Sequence, residues 1–342
     1  MVPLQAVTPE RLAARVSGLT LAEARKVVAR VHRGEPVEPS SAVRRSSVDA
    51  VRRSGVIPTL EVVAETASGL DPFVKYLVAA PDGARFEAVR IPLEKSGRFT
   101  ACVSSQVGCA LACAFCATGQ LGLRRNLEAW EIVEQVRVIR ARLPEGRVHG
   151  VVFQGMGEPL ANADAVLDAI AVMTEPCALA IDARSITVCT AGLPAGIRRL
   201  AREAPKVRLG ISISSAIATT RASLMPITRA HSLDEVIAAA ADHARATGLA
   251  PMWAVTLLAG VNDGDADAHA LVARARAFEA DTGRRPRLSI LAFNSIPGAE
   301  FTRSPREAEF RAIISAAGLP SHRRYSGGSD VAAACGQLAA KI

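Results

Sequence analysis

The chain has 342 residues, which at about 100–200 residues per domain is room for one large domain with a small attachment, or for two moderate ones. Apolar residues make up 49% and charged residues 22%, so a disordered or collagen-like chain is excluded, and no window approaches the roughly 20 uninterrupted apolar residues of a membrane span. The net charge, 41 − 33 = +8, is compatible with a polyanionic partner such as nucleic acid without requiring one. The N-terminus, MVPLQAVTPERLAARV, carries no export signal, so a cytoplasmic protein without a membrane partner is expected.

In chain order, TPERLAARVSG, LTLAEARKVVARVHRG and SSAVRRSSVDAVRRSG have helical periodicity, the last with paired arginines Arg44, Arg45, Arg52 and Arg53. Residues 1–85 therefore read as a small N-terminal helical attachment followed by a few strands. The arginine pairs suit either a solvated helical face or an RNA contact. From about residue 98, RFTACVSS, VHGVVFQG, SITVCTAG, VRLGISIS, MWAVTLLAG and RLSILAFN read as six short buried strands bounded by turn residues. Between and after them lie the helical stretches LEAWEIVEQVRVIRARL, NADAVLDAIAVM, LPAGIRRLARE, LDEVIAAAADHARATG, DADAHALVARARAFEADTG and REAEFRAIISAAG. Alternation of strand and helix implies an α/β fold with a parallel sheet and right-handed crossovers. Pattern alone leaves an open sheet and a barrel equally available. In either, functional residues gather where strands end and loops begin.

Seven cysteines in a chain without an export signal argue against a disulfide framework and for metal or thiol chemistry. Four of them, Cys102, Cys109, Cys113 and Cys116, fall within 15 residues, and Cys177, Cys189 and Cys335 are spread over the rest. Cys109, Cys113 and Cys116 form CxxxCxxC in QVGCALACAFCATG, directly after the first strand of the alternating region. Three thiolates are too few for a structural zinc, whose fourth ligand here would be Cys102. They suit an iron–sulfur cluster with one iron left open for an exogenous amine and carboxylate. Spacing alone keeps both readings.

The CxxxCxxC spacing, the aromatic Phe115 before the last cysteine, and the place of the motif after a first strand together resemble the radical S-adenosylmethionine (radical SAM) superfamily. That resemblance implies a 4Fe-4S cluster on Cys109, Cys113 and Cys116, with S-adenosyl-L-methionine chelating the unique iron and cleaved to a 5′-deoxyadenosyl radical. Further stretches from about residue 86 to 340 narrow the match: CVSSQVGCALACAFCATG, GMGEPL, VNDG, NSIPG and AACGQLA. They are similar to the RlmN family of dual-specificity RNA methyltransferases, which methylate C2 of adenosine in 23S rRNA and tRNA. The first 85 residues match only loosely.

The resemblance implies a partial parallel (β/α)6 barrel over residues 86–342, ending in a C-terminal methyl-carrier segment. It implies that Cys335 receives a methyl group from one S-adenosylmethionine and that the radical from a second takes a hydrogen from it. The resulting methylene adds to C2, Glu87 removes the C2 proton, and Cys102 attacks the bridging sulfur, releasing product as a Cys102–Cys335 disulfide forms. Contacts to S-adenosylmethionine carry over to Gly157 and Glu158 of GMGEPL, Cys189, Ser212, Ile213, Ser214 and Asn294. Glu158 would accept from the amino group; otherwise it merely caps a helix. Implied partners are the RNA and an electron donor such as flavodoxin or ferredoxin, with the enzyme a monomer. C8 methylation of adenosine by the same cysteines is the runner-up, followed by a non-methylating radical SAM enzyme and a zinc-dependent RNA-binding protein.

The sequence departs from the family pattern at three places. Cys189 stands where Ser is usual and Ser214 where His is usual, and YSGGSDVAA before Cys335 lacks an Arg and an acidic residue. Cys177 has no motif around it and reads as packing. Arg124, Arg125, Arg284, Arg285, Arg323 and Arg324 form further basic pairs, each on its own more in keeping with solvated surface than with RNA contact.

Overall fold

The computed structural model describes residues 1–339. Three helices open the chain: α1 (Pro9–Arg15), α2 (Leu21–Arg33) and α3 (Arg45–Ser54). Their apolar stripes close a core of their own around Leu12, Val27, Val28, Val31, Val48 and Val51. Thr20 and Glu23 form a reciprocal capping box at the start of α2, and Gly34, at φ 72°, ends it in the left-handed region. Glu23 also ties α2 to α3, since its buried carboxylate accepts from Arg44 Nε at 2.9 Å and Ser47 Oγ at 2.8 Å. Residues Val2–Pro3 pair with Gly55–Val56 and seal the unit. Cys177 packs against this helical core, as expected of a residue without a motif.

The rest of the chain builds one ten-stranded sheet whose spatial order follows the chain order. An antiparallel meander comes first: β1 (Glu61–Ala67), β2 (Val74–Ala79) and β3 (Arg85–Pro92). Then come the six expected strands, β4 (Arg98–Val103), β5 (Arg147–Phe153), β6 (Ile186–Thr190), β7 (Arg208–Ser212), β8 (Met252–Leu257) and β9 (Arg287–Ala292), all mutually parallel. A seventh parallel strand, β10 (Ser321–Arg324), pairs with β9 and lies outside the six apolar runs of the sequence. The sheet runs on across residue 85, and the seam between the two hydrophobic cores lies near residue 56.

The crossovers carry α4 (Ala129–Ala141), α5 (Ala163–Thr174), α6 (Pro194–Glu203), α7 (Ala218–Leu224), α8 (Leu233–Thr247), α9 (Asp265–Thr282) and α10 (Glu307–Ala316). All but α7 match a helical stretch of the sequence. The strand runs are apolar because both faces are covered: Trp253 of β8 is fully buried, edge-on to Phe278 of α9 with ring centres 5.3 Å apart. With every parallel strand pointing the same way, their C-terminal ends share one rim of the sheet. Among the described residues no helix is long and apolar enough to cross a membrane.

Arg44 and the surrounding donors hold the Glu23 carboxyl well below the usual carboxylate range. A depressed native value means that its stabilisation is complete above the ordinary glutamate range and is lost as pH falls through it. Glu23→Gln should therefore destabilise the protein by about 1.5–3 kcal/mol at pH 7, the magnitude of a hydrogen bond to a charged group. In urea titrations the gap between variant and wild type should narrow below pH 4; a gap independent of pH would show that the charge is not what matters.

Candidate active site

Two loops at the rim meet through a buried polar network. Ser104 Oγ donates to the Glu87 carbonyl at 2.6 Å and accepts from the Met156 amide at 2.8 Å, while Gln106 Oε1 accepts from the Glu158 amide at 2.8 Å. Asn162 Nδ2 bridges the Ser105 and Leu127 carbonyls at 2.8 and 2.7 Å. Such close approach needs glycine: a Cβ on Gly155 would lie 2.7 Å from the Val103 backbone, and one on Gly157, at φ 95°, would collide with Gln106. CVSSQVG and GMGEPL are thus two sides of one joint.

Beyond the joint, Gln106–Cys109 pairs antiparallel with Gly122–Asn126, and the loop between them presents Cys109, Cys113 and Cys116 to one cavity. All three are free thiols. Burial pushes the Cys109 thiol up to about 11, that of Cys113 up to about 12 and that of Cys116 upward. The Leu111 amide offsets this at Cys109, and the Gly119 and Thr118 amides at Cys116. Among the described residues no three His, Cys, Asp or Glu side chains converge closely enough to grip a single ion. Three thiols lining one cavity are the donor type that an iron–sulfur cluster takes. Cys102 lines the neighbouring cavity.

The same cavity continues past Gly155, Gly157, Glu158, Cys189, Ser212 and Ser214. Glu158 accepts from the Leu160 amide at 3.0 Å, capping a short turn, and from the Ala191 amide at 2.8 Å, clamping the end of β6. Cys189 contacts Gln154 Oε1 at 3.6 Å. Two expected contacts stand back from the cavity. Ile213 is buried and its carbonyl accepts from Arg221, and Asn294 Nδ2 donates to Ser326 Oγ at 3.2 Å and to the Cys335 carbonyl at 3.1 Å. Asn294 therefore holds the Cys335 loop.

Cys335 lines this cavity and also a second, smaller one that contains Cys102, Val89, Gln154 and Arg324. Burial first, and then Cys335, push the Cys102 thiol up to about 12. Glu87, two residues from Val89 on the same face of β3, lines neither cavity: it pairs with Lys75 at 3.0 Å and accepts from the Ala339 amide at 2.8 Å.

Three residues were not visible as site residues in the sequence. Arg221 of α7 is fully buried and donates to the carbonyls of Ser212, Ile213 and Ala191 at 2.5–2.6 Å, binding the ends of β6 and β7 together. Asn262 of the VNDG stretch donates to the Ser214 and Thr256 carbonyls at 2.6 and 2.8 Å and accepts from Leu258 at 2.7 Å. Arg324, one of the basic pairs, points into the thiol cavity. The remaining pairs mostly serve the fold: Arg125 bridges Asp82 and Glu131, Arg285 meets Glu279 and Arg323 meets Glu307. Arg45, Arg53 and Arg124 are exposed.

A parallel α/β sheet with a three-cysteine loop at the rim and a strand-end cavity beside it defines the radical SAM class, and residues 103–273 match the model described as the radical SAM superfamily. The chain is 58% identical to a protein of Sorangium cellulosum named "Probable RNA methyltransferase", over 97% of this chain and 90% of that one. It is 43% identical to the dual-specificity RNA methyltransferase RlmN of Syntrophobacter fumaroxidans, over 78% of this chain and 76% of that one. The crystal structure of a radical SAM methyltransferase from Sphaerobacter thermophilus superposes with a TM-score of 0.88 at 34% identity, covering 100% of both chains. The chain belongs to the RlmN family of radical SAM RNA methyltransferases.

Asn262→Ala should strand three buried backbone groups at the ends of β7 and β8, lowering stability by roughly 2–5 kcal/mol. Urea denaturation measures it; a loss under 1 kcal/mol would mean that water replaces the amide.

Proposed function

We propose that the protein methylates C2 of an adenosine in 23S rRNA or tRNA by way of a methyl group carried on Cys335. One observation carries this reading: Cys335 lines both the cavity of the cluster cysteines and the cavity of Cys102, so a single sulfur is shared between the site that would hold the methyl donor and a second thiol. A C2 hydrogen on an amidine carbon offers no lone pair for ordinary alkylation, so a radical route is required. Cys109, Cys113 and Cys116 would hold a 4Fe-4S cluster, and Gly157, Glu158, Cys189, Ser212 and Ser214 would line the S-adenosylmethionine beside it. Bound together and reduced by a one-electron donor of the flavodoxin or ferredoxin kind, they supply the hydrogen-abstracting radical.

The chain's own part is binding, orientation and thiol chemistry. Cys335 accepts the methyl group, and its loop stays in place through Asn294 and Ser326. Cys102, buried on β4, is kept for a late displacement at the Cys335 sulfur. Glu87 sits beside Lys75 on the same strand face as Val89, the family position for taking up the C2 proton. Glu158 offers carboxylate lone pairs beyond the two amides it already binds. Net charge +8 and the exposed Arg45, Arg53 and Arg124 support attraction of an RNA backbone. The adenine itself must leave its stack to reach the thiols. The names of the relatives support the RNA substrate and the C2 position.

Anaerobic reconstitution should give about four irons per chain. Nucleoside mass spectrometry of ribosomal and transfer RNA treated with the loaded enzyme should show 2-methyladenosine; 8-methyladenosine in its place would overturn the C2 assignment. Cys335→Ala should abolish methyl transfer while S-adenosylmethionine cleavage persists, and RNA methylation by that variant would refute the carrier role.

A further inference from the structure

Arg324 is the last residue of β10, and alternation along that strand sends Arg323 outward to Glu307 at 3.2 Å and Arg324 into the cavity with Cys102 and Cys335. Its Nη1 is buried and has no hydrogen-bond partner. Among the described residues no carboxylate pairs with it. A buried guanidinium is ordinarily matched by a carboxylate. Here the groups around it are sulfurs: burial disfavours its charge, but Cys335, Cys189 and Cys102 outweigh that and favour it. We propose that Arg324 is the counter-cation of the Cys102 thiolate, stabilising the anion that displaces the methylated product from Cys335. The proposal rests on the methyl-carrier reading above and assigns the reaction a residue which that reading lacks.

The chemistry needs such a group. Cys102 first loses its proton to water. Its thiolate then attacks Cys335 Sγ, and the Sγ–Sγ bond forms as the bond from Cys335 Sγ to the RNA-linked methylene breaks. The electron pair goes to the methylene carbon, which takes a proton and becomes the product methyl. The two thiols are thereby oxidised to a disulfide, which a dithiol reductant of the thioredoxin class must reduce before the next cycle.

Burial is the larger influence on Cys102 and opposes ionisation. Cys335 and Cys189 oppose it too, while Arg324 and the Gln154 amide favour it. Other charged groups nearby are already engaged or remote: Glu87 of β3 is paired with Lys75 of β2, and Glu158 acts on Cys189. Arg287 of β9 feels the positive charge of Arg324 and of Arg208 on β7, and brings no negative charge. That leaves Arg324 as the cation inside the thiol cavity.

The test compares wild type, Arg324→Met and Arg324→Lys. In the full-length protein without added cofactor, Cys102 is challenged with methyl methanethiosulfonate from pH 7 to 10 and its modification followed by peptide mass spectrometry. Met should slow modification at pH 8 by about tenfold, equivalent to one unit of thiol acidity, with recovery at higher pH, and Lys should restore most of the rate. In single turnovers with RNA, Met should accumulate the covalent protein–RNA adduct and resolve it faster as pH rises. Circular dichroism and iron content verify folding. An unchanged Cys102 rate and no adduct in the Met variant would overturn the proposal, as would a Lys variant no better than Met. If wild type itself puts no methyl on Cys335, the methyl-carrier reading fails, while the Cys102 reactivity series still decides the role of Arg324.

Discussion

The placement of Cys335 at the meeting of two cavities is the constraint on which the site depends, and no regular element provides it. The segment after β10 is held by bonds from remote parts of the chain. Asp71, between β1 and β2, accepts from Tyr325 Oη at 2.7 Å and the Gly328 amide at 2.9 Å, and Asp330 accepts from Ser68 Oγ at 2.7 Å. On the far side of Cys335, Ala117 donates to the Gly336 carbonyl at 2.7 Å and Thr118 to that of Leu338 at 2.6 Å. The loop is therefore stitched both to the antiparallel meander and to the residues just past Cys116. Small errors at either end would move the sulfur away from one of its cavities.

This explains why the meander belongs to the catalytic sheet. An antiparallel extension beside β4 brings Glu87, Lys75 and Asp71 to the very segment that carries Cys335. It also puts Val89 opposite Cys102, forming one wall of the thiol cavity. The helical unit of residues 1–56 keeps a core apart from this and joins the sheet and its helices through contacts such as Arg11 with Asp168 at 2.5 Å. Catalytic geometry and the N-terminal helices are thus separable in packing.

Much of this was legible in the sequence because it rests on strong local signals. Six apolar runs became six parallel strands, and the cysteine loop and GMGEPL came together through a glycine joint whose need for Gly the motif already displayed. What escaped notice had signals pointing elsewhere. SHRR is short and charged, so it did not read as a strand, although an edge strand needs few apolar side chains. Arg221 lies in a seven-residue helix whose sequence, ATTRASL, is dominated by short polar residues. Arg323 and Arg324 are adjacent and chemically identical, and only the two-residue period of a strand that had not been recognised separates a solvated ion pair from a cavity residue. Asn294, expected as a cofactor contact, instead bonds Ser326 and the Cys335 carbonyl.

Two of the three departures from the family pattern, Cys189 and the stretch before Cys335, fall beside the Cys335 loop, and Ser214 lines the cluster cavity alone. At Cys189 a thiol stands where a hydroxyl is usual and meets Gln154, which like Cys335 lines both cavities. At Gly327 a side chain has no room, because a Cβ there would lie 2.5 Å from both Asp71 Oδ2 and the Phe73 ring. Phe73 instead packs edge-on to Tyr325 with ring centres 6.0 Å apart. The stretch that lacks the usual arginine is thus pressed against the meander at Gly327. Arg324 lines the cavity of Cys335 from the sheet rather than from the loop. A cation fixed to a strand end is positioned independently of the loop that holds Cys335, whereas one on the loop would depend on the same bonds as the sulfur itself.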